Sequence, residues 1–166
     1  MKINDIALDN YAHLGIGDSV FQVTYGRGRF DGGHEVEVVK KTKTRITVAA
    51  PGSDRTRTFL MEPKKDTPFG TTDNAAVEYG AKFESRDSIY FVPFGESLVE
   101  FIEYRQNITH AKSLRKKLAD EVDDLASGYG PQPGRDSEGA IAGLNQIVAE
   151  LGKIEAKVAE YENREP

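Results

Sequence analysis

The chain has 166 residues, of which 38% are hydrophobic and 30% charged, with a net charge of −5 and neither cysteine nor tryptophan. That composition suits a soluble protein of one or two small domains with a modest core. It excludes disulfides, thiolate nucleophiles and cysteine-based metal sites, and no apolar run nears the roughly 18–20 residues of a membrane span.

Residues 1–18 are a lead-in. Ile3, Ile6, Ala7 and Leu14 suit a short helix or a packed arm, and Gly15 and Gly17 break the pattern. The N-terminal Met1-Lys2-Ile3-Asn4-Asp5 has no apolar core, so a secretory signal is not expected and a cytoplasmic location is. From Ser19 the hydrophobic period becomes two, the signature of strands. Ser19–Tyr25, Glu35–Lys41, Thr44–Ala50 and Arg55–Met61 are predicted strands. Gly26-Arg27-Gly28, Asp31-Gly32-Gly33 and Pro51-Gly52-Ser53-Asp54 are predicted turns. Residues 62–80 hold two prolines and two glycines and predict a loop, anchored through Phe69 and Val77. Ala81–Glu84 and Ser88–Val92 predict two further strands about a Ser85-Arg86-Asp87 turn. Strands this short bury a face only by curling or by packing a helix.

No proline or glycine occurs from Glu96 to Ser127. Ser97 with Glu100 has capping-box spacing. Phe101, Tyr104, Ile108, Ala111, Arg115, Leu118, Val122 and Leu125 then step by threes and fours, a heptad seam interrupted by one charge, which Leu114 beside it can offset. Residues 128–134 carry three glycines and two prolines and cannot continue a helix. Asp136 or Ser137 caps a second helix with the seam Ile141, Leu144, Ile147, Leu151, Ile154, Val158 and Tyr161. A short loop between two long helices predicts an antiparallel hairpin. The fold expected is therefore α+β. A small antiparallel β-barrel or curled sheet occupies residues 1–95, and an acidic helical hairpin occupies residues 96–166.

No local motif carries catalysis. His13, His34 and His110 have no metal-binding spacing, and the Gly-rich turns lie between strands, where no helix N-terminus faces a phosphate. The cluster Asp120, Glu121, Asp123 and Asp124 lacks the calcium-loop pattern. No cofactor, metal or catalytic residue is expected, and the chain reads as a non-enzymatic protein.

Charge is uneven. Residues 19–65 hold ten cations and five anions, a net +5, whereas residues 66–166 hold 11 cations and 19 anions, a net −8. Arg27, Arg29, Lys40, Lys41, Lys43, Arg45, Arg55 and Arg57 are thus candidate contacts to nucleic acid or another partner. Tyr25 or Phe30 is available to stack on bases. The bland alternative is a solvated β-surface whose cations discourage edge pairing. The seam residues Phe101, Ile108, Arg115, Leu118, Val122, Leu125, Leu144, Ile147, Leu151, Ile154 and Val158 are candidates for association.

Ile16-Gly17-Asp18-Ser19-Val20, followed by a long hairpin and Thr42-Lys43-Thr44-Arg45-Ile46-Thr47-Val48, resembles the opening of SH3-like small barrels of the Tudor and KOW groups. The resemblance covers about residues 16–61, closing through Ser88–Val92, and implies binding of nucleic acid, peptides or ribosomal and transcription partners. The whole chain resembles, in style, small uncharacterised proteins of actinobacterial phages. Three functions follow as expectations. The first is a basic β-domain that binds nucleic acid or protein, with the hairpin mediating association. The second is an adaptor or inhibitor that engages a host protein through the hairpin. The third is an oligomeric assembly protein.

Overall fold

The structure, a computed structural model, describes residues 1–26, 29–63, 74–80, 87–126 and 137–163. The chain divides into two compact units, residues 2–99 and 100–166.

The first unit is an antiparallel sheet of five strands: β1 (Ser19–Gly26), β2 (Arg29–Lys41), β3 (Arg45–Ala49), β4 (Thr56–Leu60) and β5 (Asp87–Val92). Their order is β4-β3-β2-β1-β5. The sheet curls into a half-barrel. Alternation along each strand sets the inner face. Val20, Val36, Val38, Ile46, Val48, Phe59, Ile89 and Phe91 are buried together there. Phe59 of β4 and Phe91 of β5, from the two edge strands, meet edge to face at 5.0 Å. The reverse face of β1 and β5 is also apolar. Val23, Tyr25, Tyr90 and Val92 are buried, and the Tyr25 and Tyr90 rings lie 5.7 Å apart. Burial on both faces explains why these two strands read as near-continuous apolar runs.

Segment 74–80 links the two edges of the curl. Leu60 N–H of β4 donates to Val77 O at 2.8 Å, and Ala76 N–H donates to Ile89 O of β5 at 2.6 Å. The residue-77 anchor expected from sequence is thus a backbone one; Phe69 and Ala81–Glu84 lie outside the described residues. The lead-in crosses the same unit as an arm after a short 3-10 turn at Ile3–Asp5. Leu8 N–H donates to Phe91 O and Tyr11 N–H to Met61 O, so the arm ties β5 to the end of β4. Tyr11 is fully buried and meets Phe91 edge to face at 5.2 Å. The Gly-Asp of the strand opening has a physical role. Gly17 takes φ +93°, Asp18 Oδ2 accepts the Gly15 N–H at 2.7 Å, and Gly17 N–H donates to Val38 O.

One predicted turn is corrected. Asp31-Gly32-Gly33 lies inside β2, which runs unbroken from Arg29 to Lys41 and pairs with β1 from Ser19–Glu37 to Gly26–Arg29. Gly32 takes φ +119°, a conformation that favours glycine, and Gly33 serves packing. A Cβ on Gly33 would fall 2.4 Å from Phe21 Cε1 and 2.6 Å from Gln22 O. The register shifts beside them, between Thr24 and Tyr25.

The second unit holds most of α1 (Glu96–Ala126) and all of α2 (Ser137–Asn163). Helix α1 starts at Glu96, so Ser97 stands inside it and is not its cap. The helices run antiparallel. Tyr104, early in α1, meets Tyr161, late in α2, edge to face, with ring centroids 5.9 Å apart. Their hydroxyls donate across the pair, Tyr104 to Glu162 and Tyr161 to Glu103. Ala111, Leu114, Ile147 and Ile154 form the buried centre, flanked by Leu118, Leu151 and Val158. The inner place given to Arg115 in the heptad reading belongs to Leu114. Arg115 is turned outward, and its guanidinium donates twice to Glu155 Oε1, at 3.0 and 2.6 Å.

Candidate functional site

Two surfaces hold the candidate residues: the cations of the β-unit and the seam of the hairpin.

The cations do not form one face. Lys41 points inward from the end of β2, and its ammonium donates to Ala12 O and Leu14 O, both at 2.6 Å. It holds the lead-in arm in place. Arg57 shares the inner-face side of β4 with Phe59. It makes a bidentate pair with Glu78, at 3.0 and 2.6 Å. The Arg57 hydrogen bond and charge hold the Glu78 carboxyl below its usual value, more than partial burial raises it. Arg45 lies on the outer side of β3 and stacks over the Tyr79 ring, its Cζ 3.3 Å from the centroid. Among the described cations, Lys41, Arg45 and Arg57 thus have partners inside the unit.

Lys40, Lys43 and Arg55 are exposed. Lys40 and Lys43 flank the β2–β3 turn, whereas Arg55 sits in the β3–β4 turn at the opposite end of β3. Arg29 begins β2, about 40 Å of extended strand from Lys41. Arg27 and the Arg29 side chain lie outside the described residues. The outer side of β2 also exposes Glu35 and Glu37. The sequence groups these cations; the strands separate them. What remains together is one corner: Lys40, Lys43 and the Arg45–Tyr79 stack, with Tyr79 half exposed.

The stacking candidates Tyr25 and Phe30 face each other at 5.9 Å, and Tyr25 is buried. Tyr25 therefore belongs to the packing of the sheet. Tyr79 and Glu78 went unnoticed in the sequence because the stretch around them has no periodicity. Among the described residues there is no group of three or more His, Asp or Glu able to hold a metal, and no helix is long and apolar enough to cross a membrane.

The hairpin divides its seam residues differently. Phe101, Ile147 and Ile154 are buried, and Ile108, Leu118, Leu144, Leu151 and Val158 are partly covered. Towards the interhelical loop the seam opens. Val122 is 46% and Leu125 39% exposed. Near this end α2 carries the small residues Gly139, Ala140 and Gly143. The neighbouring groove is lined by these three with Lys117, Glu121 and Gln146.

Two polar contacts mark the flanks of the hairpin, the Arg115–Glu155 ion pair at 2.6 Å on one and His110 Nε2 with Glu150 Oε1 at 3.3 Å on the other. Helical periodicity carries the Arg115–Glu155 flank towards the loop through Ala119, Val122 and Ala126 on α1, four, seven and eleven residues beyond Arg115. On α2 the same flank runs back from Glu155 to Val148 and Ile141. Val148 is 52% and Ile141 55% exposed. This flank is an apolar patch on an otherwise charged hairpin. Val148 was missed in the sequence, although its seven-residue spacing from Ile141 marks a second stripe on α2.

Compared with protein-family models, curated proteins and solved structures, the chain shows no significant match.

Proposed function

We propose that this is a non-enzymatic interaction protein of the phage type whose working surface is the apolar flank of the helical hairpin. The observation that carries this reading is the exposure of Val122, Ile141 and Val148 on one flank, beside a well-buried seam. A hairpin of two helices is marginal alone. Its central cluster of Ala111, Leu114, Ile147 and Ile154 is buried, and the exposed flank gains cover through association. Lysine at positions 122 and 141 tests this. The double variant should keep the wild-type helix content, because neither residue is buried, and should lose association in sedimentation velocity. Unchanged association in that variant would overturn the reading.

A second reading applies to the β-unit. The corner of Lys40, Lys43, Arg45 and Tyr79 combines cations with a half-exposed aromatic ring, which suits contact with single-stranded nucleic acid. Its binding should weaken steeply with salt. Fluorescence anisotropy with a labelled oligonucleotide should show that K40E/K43E reduces affinity about tenfold or more at low salt. No binding by the wild type under those conditions removes this reading.

A further inference from the structure

The flank on which the proposed function rests has a pattern that points to its occupant. On the outer rim of that flank α1 exposes Lys112, Lys116, Asp120 and Asp123 in that order. Two positive charges are followed by two negative ones, so the pattern is self-complementary when reversed. Two copies of α1 laid antiparallel about a two-fold axis near Leu118 bring Lys112 opposite the second copy's Asp123 and Lys116 opposite its Asp120. Ala119, exposed and small, sits beside the axis and permits close approach.

Helix α2 gives the same axis independently. Its exposed stripe holds Ile141, Val148 and Gly152. An antiparallel copy centred near Ile147 places Ile141 against the second copy's Gly152, and Val148 beside its own counterpart. Gly152 has open space where a side chain would stand, with no atom within 4 Å of an added Cβ. The ridge therefore meets a gap. The two centres coincide in the folded hairpin. Tyr104 is level with Tyr161, and about four turns along the hairpin from that pair, Leu118 is level with Ile147.

We infer that the occupant of this flank is a second copy of the chain, joined flank to flank as an antiparallel four-helix bundle with its two-fold axis at Leu118 and Ile147. The interface is isologous: each copy supplies the same patch. Ionic contacts at the rim set the register, and the apolar centre supplies the attraction.

The absence of cysteine makes the test direct. Full-length A119C should form a disulfide-linked dimer under mild oxidation, because position 119 lies near its counterpart across the axis. S113C, five residues from the axis and about 15 Å from its counterpart, should stay unlinked. K116D or D120K should raise the apparent dissociation constant about tenfold or more, and the double exchange K116D/D120K should restore it. A charge pair acting only within one helix would leave the molar mass of all three variants unchanged. If the wild type assembles but A119C does not cross-link and K116D has no effect, this arrangement is overturned while association through the flank stands. A one-chain mass at millimolar concentration overturns the second copy as the occupant.

Discussion

Gly33 shows how a single residue shapes the β-unit. Phe21 lies across it, and the carbonyl of Gln22 is close behind the ring. A methyl group at position 33 cannot be absorbed by rotating Phe21 alone, because the backbone oxygen must also move. G33A should therefore destabilise the unit by about 1–3 kcal/mol, a fall in melting temperature on the order of 5 °C, measurable by thermal denaturation. The Arg57–Glu78 pair acts at the same scale. The folded carboxyl titrates below its unfolded value of about 4.5. Its stabilisation is fully present above that value and is lost as pH falls through the lower folded one. Urea denaturation at pH 7 should show E78Q less stable by up to about 1 kcal/mol, since the pair is partly exposed. The difference should vanish in acid.

The elements of the chain differ in how far their residues announce them. Strands β1, β3 and β4 and both helices were legible because their apolar periods are long and their boundaries carry glycine or proline. Strand β2 was cut short because Asp31-Gly32-Gly33 has the composition of a turn. Glycine there is explained by the positive φ of Gly32 and by the Phe21 ring and Gln22 carbonyl packed against Gly33. The heptad step placed Arg115 inside the hairpin, but three-three spacing through Ala111 and Leu114 keeps the seam apolar. L114A should cost about 2–4 kcal/mol, whereas R115A should cost less than about 1 kcal/mol. Chemical denaturation of the two variants separates the assignments. The reverse order would return Arg115 to the seam. The cationic candidates were legible as a composition and not as a site. Register and strand length dispersed them, and the partners Glu78, Tyr79, Ala12 and Leu14 are remote in sequence from the cations they engage.

For the molecule as a whole, two units with different chemistry share one chain. The β-unit has a filled interior, closed by its own arm and by segment 74–80. Most of its described inner cations serve that closure. Among its described residues the hairpin leaves Val122, Leu125, Ile141 and Val148 exposed, and this asymmetry places the proposed association on the helices. The most direct measurement is amide hydrogen exchange of the full chain at low and high protein concentration. Residues 118–126 and 140–149 should exchange faster in dilute solution and gain protection as concentration rises, while the β-unit and the Tyr104–Tyr161 end do not change. Protection that is the same at every concentration would contradict the proposed association.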